Sequence, residues 1–140
     1  MNTRHLKSQK GLYLIEFALI SGAFFLTIFV IIDMARVFYL LNAASEATRY
    51  GARVAAVCDV NDPQIKTSMI NRIGSANLAT GEIDVSYFPA GCSVSNCETL
   101  TVSLTNVSFS TILGFTVNAP DFATTLPRES MNSANNSICT

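Results

Sequence analysis

The stretch Leu12 to Ile32, LYLIEFALISGAFFLTIFVII, decides how the rest of the chain is read. As a helix rising 1.5 Å per residue it spans about 31 Å, the thickness of a bilayer core. Before it stands MNTRHLKSQKG, with Arg4, Lys7 and Lys10 and no acid. Basic residues on that flank place the N-terminus in the cytoplasm and everything after Ile32 outside. Over all 140 residues the net charge is −1, with 49% hydrophobic and 14% charged residues. So low a charged fraction means that part of the apolar content is not an ordinary globular core. His5 is the single histidine, which excludes catalytic triads and histidine-bound metals, and with no basic excess a nucleic-acid partner is not expected.

Two features distinguish the segment from a plain secretory signal or static signal anchor. Glu16 lies inside it, where an ionised carboxylate costs about 2.5 to 3.5 kcal/mol at the bilayer centre. And the helical pattern does not stop at the interface: Asp33 to Val57 holds no proline, the first being Pro63. Val37, Leu40, Leu41, Ala44, Ala47, Thr48, Gly51, Val54 and Ala55 form one stripe at helical spacing, with Arg36, Glu46, Arg49 and Arg53 off it. The spacing predicts one helix over 12–57, about 69 Å long, whose 12–32 part crosses the membrane.

A basic leader ending in Gly11, followed by Leu12 and by Glu16 as the fifth residue after the break, resembles the pattern read by prepilin peptidases. The fuller string from Gly11 to Ala56 resembles the TadE-like pseudopilins, minor subunits of the tight-adherence (Flp) pilus. The likeness rests on Glu16-Phe17, on the Asp33 to Arg36 spacing, on Phe38-Tyr39 and on the small-residue run ending in Arg49-Tyr50-Gly51-Ala52-Arg53. Thr125-Leu126-Pro127-Arg128-Glu129 matches a short segment that the family often carries near its end.

The resemblance implies removal of residues 1–11, which leaves six of the nine basic side chains against ten acidic ones and frees an amine at Leu12. In a lateral assembly that amine meets Glu16 of a neighbour, so the carboxylate acts as a register key and processing licenses assembly. Phe17, Ile20, Phe24, Ile28 and Ile31 form an apolar face that meets lipid first and other subunits later. Asp33 and Arg36, three apart, read equally as a solvated ion pair at the membrane surface worth a few tenths of a kcal/mol and as an assembly contact. The implied partners are the prepilin peptidase, major and minor pilins, the inner-membrane platform and its ATPase; the protein is extracellular once in the pilus. No enzymatic activity and no cofactor are expected.

Residues 58–140 read as a small α+β head. Asp62-Pro63 opens a short helix with Ile65, Met69, Ile70 and Ile73 on one face, ending before Gly74 or Asn77. Ile83, Val85 and Tyr87 alternate in one strand and Leu100, Val102 and Leu104 in another, a hairpin pair, with a third strand over 122–126. Residues 109–117, FSTILGFTV, fit a loop, a helix or a strand equally, and the Ser/Asn-rich tail from Arg128 reads as loosely held.

All four cysteines follow the membrane segment, in an oxidising compartment. Three pairings are open; Cys92 with Cys97, closing the hairpin loop, and Cys58 with Cys139, tying the tail to the long helix, are favoured over a zinc site, which lacks two close pairs. The Asp59, Asn61 and Asp62 turn lacks the alternating acids and distal Glu of a calcium loop and reads as a helix cap. A membrane-tethered hydrolase that works without histidine would use Glu82, Asp84 or Asp121.

Overall fold

A computed structural model of the chain describes residues 10–74 and 82–139. The leader residues Arg4 and Lys7 lie outside the described residues, as does Asn77. Helix α1 runs Lys10–Val57 without interruption, as the absence of proline requires. The chain divides into two compact units, the first ending at Arg36 and the second beginning at Val37.

In the first unit the helix is apolar on every side. Phe17, Leu19, Ile20, Phe24, Phe25 and Leu26 point around its whole circumference and all are exposed, Leu19 at 72%. The face expected from Phe17, Ile20, Phe24, Ile28 and Ile31 is therefore part of an all-round apolar surface, the pattern of a helix whose surroundings are themselves apolar. Its Ser and Thr hydroxyls are satisfied within the helix: Ser21 Oγ donates to the Ala18 carbonyl at 3.1 Å and Thr27 Oγ1 to that of Ala23 at 2.9 Å. In hydrocarbon, where no water competes, such internal bonding is required.

In the second unit the same helix becomes one-sided. Val37, Leu40, Ala44, Ala47, Thr48, Val54 and Ala55 are buried, while Glu46, Arg49 and Arg53 stay in solvent. Ala and Gly on that stripe let other elements come close. A Cβ on Gly51 would run into Sδ of Met69 and lie 2.7 Å from its Cγ. Met69 belongs to helix α2 (Pro63–Ile73), which Asp62 caps by accepting the Gln64 N–H at 2.9 Å and Gly74 ends at φ 94. Ile65, Met69 and Ile73 are its buried face, with Ile70 half-buried.

Three antiparallel strands, β1 (Ile83–Phe88), β2 (Thr99–Leu104) and β5 (Phe122–Pro127), form a sheet in the order β1-β2-β5. Alternation sets which side chains enter the core. Val102 lies between Val85 and Thr124, and Leu100 between Tyr87 and Leu126, so each inward column crosses all three strands. On the outward face Thr101 and Thr125 hydroxyls meet at 2.8 Å. The stretch around Ile112 resolves into a second, two-stranded sheet, β3 (Ser108–Ser110) with β4 (Thr116–Asn118).

The tail is not loosely held. Glu129 and Met131 N–H groups donate to the Ala56 carbonyl at 3.0 and 3.3 Å, and Asn132 N–H to that of Val57 at 2.8 Å. These are last-turn carbonyls of α1, which have no partner inside the helix. Met131 is 1% exposed. Ser133 Oγ accepts the Asp59 N–H and donates to Asp62 Oδ2 at 2.6 Å, coupling the tail to the cap of α2. The Ser/Asn composition reads as loose because these contacts run through backbone amides and short polar side chains, which leave no hydrophobic pattern.

Both favoured disulfides are present, Cys58–Cys139 across 81 residues and Cys92–Cys97 across 5. In the chain-entropy model the long closure stabilises by about 4.5 kcal/mol and the short one by about 2 kcal/mol. The Cys58→Ser/Cys139→Ser variant is accordingly expected to lose about twice the unfolding free energy of Cys92→Ser/Cys97→Ser. Urea titrations of the two double variants check the order, which equal losses would refute.

Candidate functional site

The candidate site is a segment of helix rather than a pocket. Gly11 and Leu12 lie in the first turn of α1, with Lys10 at its start, and Glu16 and Phe17 follow one turn later. Leu12 and Phe17 are 67% and 70% exposed, and Glu16 is exposed. Glycine within a helix costs roughly 1 kcal/mol relative to alanine. Nothing among the described residues demands it at position 11, since an added Cβ would meet no atom within 4 Å. Leu12, Glu16 and Phe17 are thus presented to surroundings outside the chain, with one carboxylate in the otherwise apolar stretch from Leu12 to Ile32.

At the other end of the unit Asp33 and Arg36 differ in environment. Asp33 is 4% exposed and Arg36 is exposed, so the acid is withdrawn from water rather than solvated. Spacing alone gives no sign of this.

The head gathers polar residues where α2 begins. Asn61, Asp62, Lys66 and Asp84 border an open cavity of about 260 Å³. Cys58, Asp62 and Cys139 also cluster, but both sulfurs are joined in a disulfide and the Asp62 oxygens accept from Gln64 N–H and Ser133 Oγ. A metal would have to displace these bonds, and the donor set does not fit one. Of the remaining acids, Asp84 and Asp121 are exposed and Glu82 half-buried. Asp121 borders a separate cavity with Asn106, Ser108 and Asn118, apart from Asp84 in the lining of either.

The sequence of residues 11–53 matches the family model described as TadE-like protein. Every position named above from Gly11 to Arg36 lies inside the matched span. No curated protein and no solved structure matches the chain.

Sequence reasoning did not single out Tyr87 beyond its place in a strand. Its hydroxyl accepts the Asn61 N–H at 3.1 Å, where Asn61 turns the chain at φ 62. Burial raises the phenol above its ordinary 10.0, and the nearby Asp62 charge adds to this against the Asn61 hydrogen bond. A raised value means that the folded state favours the neutral phenol. That stability is intact below pH 10.0 and is lost as pH rises through the raised value. The urea midpoint is expected to fall above pH 10.0 in the natural chain and to fall less in Tyr87→Phe. Parallel curves for the two would exclude Tyr87 as the source.

Proposed function

We propose that this chain, TadE-like over residues 11–53, is a minor pilin of a tight-adherence pilus or a related secretion filament, cut between Gly11 and Leu12 and assembled through its N-terminal helix. The family match and one N-terminal helix long and apolar enough to cross a membrane support a Tad pilus-associated protein. The observation that carries the finer reading is the combination at the start of α1. A glycine with no steric role in the described fold precedes an exposed apolar residue, and an exposed carboxylate follows four residues later.

Physical chemistry links these residues. Before cleavage, the charges of Arg4, Lys7 and Lys10 hold the start of the chain at the cytoplasmic face. Cleavage removes them and leaves an ammonium at Leu12. If it meets Glu16 of an adjacent subunit at about 4 Å, with an effective dielectric near 20, the attraction is about 4 kcal/mol before desolvation is subtracted. Neither charge has an equally good partner in lipid, so the pair favours the register that joins them. Leaving the bilayer for a bundle of similar helices exchanges one apolar environment for another, which makes extraction of an all-round apolar helix feasible.

In this reading the head stands in the periplasm before assembly and outside the cell afterwards, and the work is assembly rather than catalysis. The peptidase, other pilins, the membrane platform and its ATPase are the partners. The test is Glu16→Ala in the native host. Membrane insertion at the natural level with loss of the subunit from sheared filaments is expected; incorporation at the natural level would remove Glu16 from the mechanism.

A further inference from the structure

The β3–β4 hairpin ends in Thr111-Ile112-Leu113-Gly114-Phe115, and its three large apolar side chains face outward, Ile112 at 67%, Leu113 at 45% and Phe115 at 68% exposure. Scattered exposed hydrophobics are ordinary, but three on one five-residue tip form a patch. The tip is built rather than loose. Thr111 N–H donates to the Phe115 carbonyl at 2.8 Å, Phe115 N–H to Thr111 Oγ1 at 2.8 Å and Gly114 N–H to the Thr111 carbonyl at 3.2 Å, with Gly114 at φ 86. Its base is fixed by Phe109, 2% exposed and among the largest buried side chains, and by the Ala119 N–H bond to the Val107 carbonyl at 2.8 Å.

From Thr99 to Pro120 the chain has no charged residue and no histidine. The hairpin flanks supply only hydroxyls and an amide, from Ser108, Ser110, Thr116 and Asn118. A protein partner is commonly engaged through Arg and a charged rim that sets register, and residues 99–120 supply neither, Asp121 being the acid that borders the base of the hairpin with Ser108 and Asn118. A hydrocarbon phase needs no register, penalises charge and requires backbone amides to be bonded internally, as those of Thr111, Gly114 and Phe115 are.

We infer that the Ile112-Leu113-Phe115 tip inserts into the surface of a lipid bilayer. The inference rests on the membrane-anchored reading of α1, and not on leader cleavage or filament assembly. The lack of Lys, Arg and His in residues 99–120 points to apolar insertion that does not need anionic headgroups.

The chain contains no tryptophan, so Phe115→Trp supplies the single indole. The full-length variant is reconstituted in phosphatidylcholine vesicles made with or without bromine on the acyl chains. Vesicle flotation reports anchoring by α1 separately from tip insertion, and non-reducing mass analysis verifies that both disulfides are intact. Expected are blue-shifted emission and its loss in brominated lipid, for Phe115→Trp and likewise for Leu113→Trp, with neither effect for Ser86→Trp on the exposed face of β1. Solvent-like emission from both tip variants in floated vesicles overturns the inference. So does blue-shifted emission that bromine does not quench, which marks a protein contact, or equal quenching at position 86.

Discussion

The apolar surface of α1 up to Arg36 has no cover within its own unit, and most of what is distinctive in this chain follows from that. Soluble helices alternate an apolar stripe with a polar face; here large side chains surround the axis, with Glu16 as the one acid before Asp33. Such a surface needs lipid or other apolar helices. A bilayer and a bundle of like helices both supply that environment, so the same residues suit both the anchored state and the assembled state that we propose. Glu16 differs, because a carboxylate is disfavoured in hydrocarbon and favoured beside a cation.

Beyond Val37 the helix changes character without breaking. Small residues on the buried side let α2 approach until Met69 occupies the space a side chain at Gly51 would take. The end of the helix is closed by chain from far along the sequence. Tail amides take the Ala56 and Val57 carbonyls, Ser133 bridges to Asp62, and Cys58–Cys139 fixes the arrangement covalently. A head of this size has a thin core, and capping a helix end with the tail while closing an 81-residue separation compensates for it.

How far the sequence reveals this depends on whether a feature is periodic. The stripe from Val37 to Ala55 and the alternation in β1, β2 and β5 are readable because burial repeats at 3.6 or 2 residues, and α2 because Asp62-Pro63 and Gly74 punctuate it. β3 and β4 have three residues each, too few to show a period, and the apolar tip between them resembles core. The tail is bound through backbone amides that no side-chain pattern encodes. Gly11, Leu12 and Glu16 are readable as a spacing, whereas the burial of Asp33 depends on packing that spacing does not report.

The most direct measurement is the N-terminal mass of the protein recovered from assembled filaments. A chain beginning at Leu12, with its amine free to face a neighbouring carboxylate, is the expected result. A chain beginning at Met1, with the three leader charges still attached, would contradict assembly through a newly exposed amine.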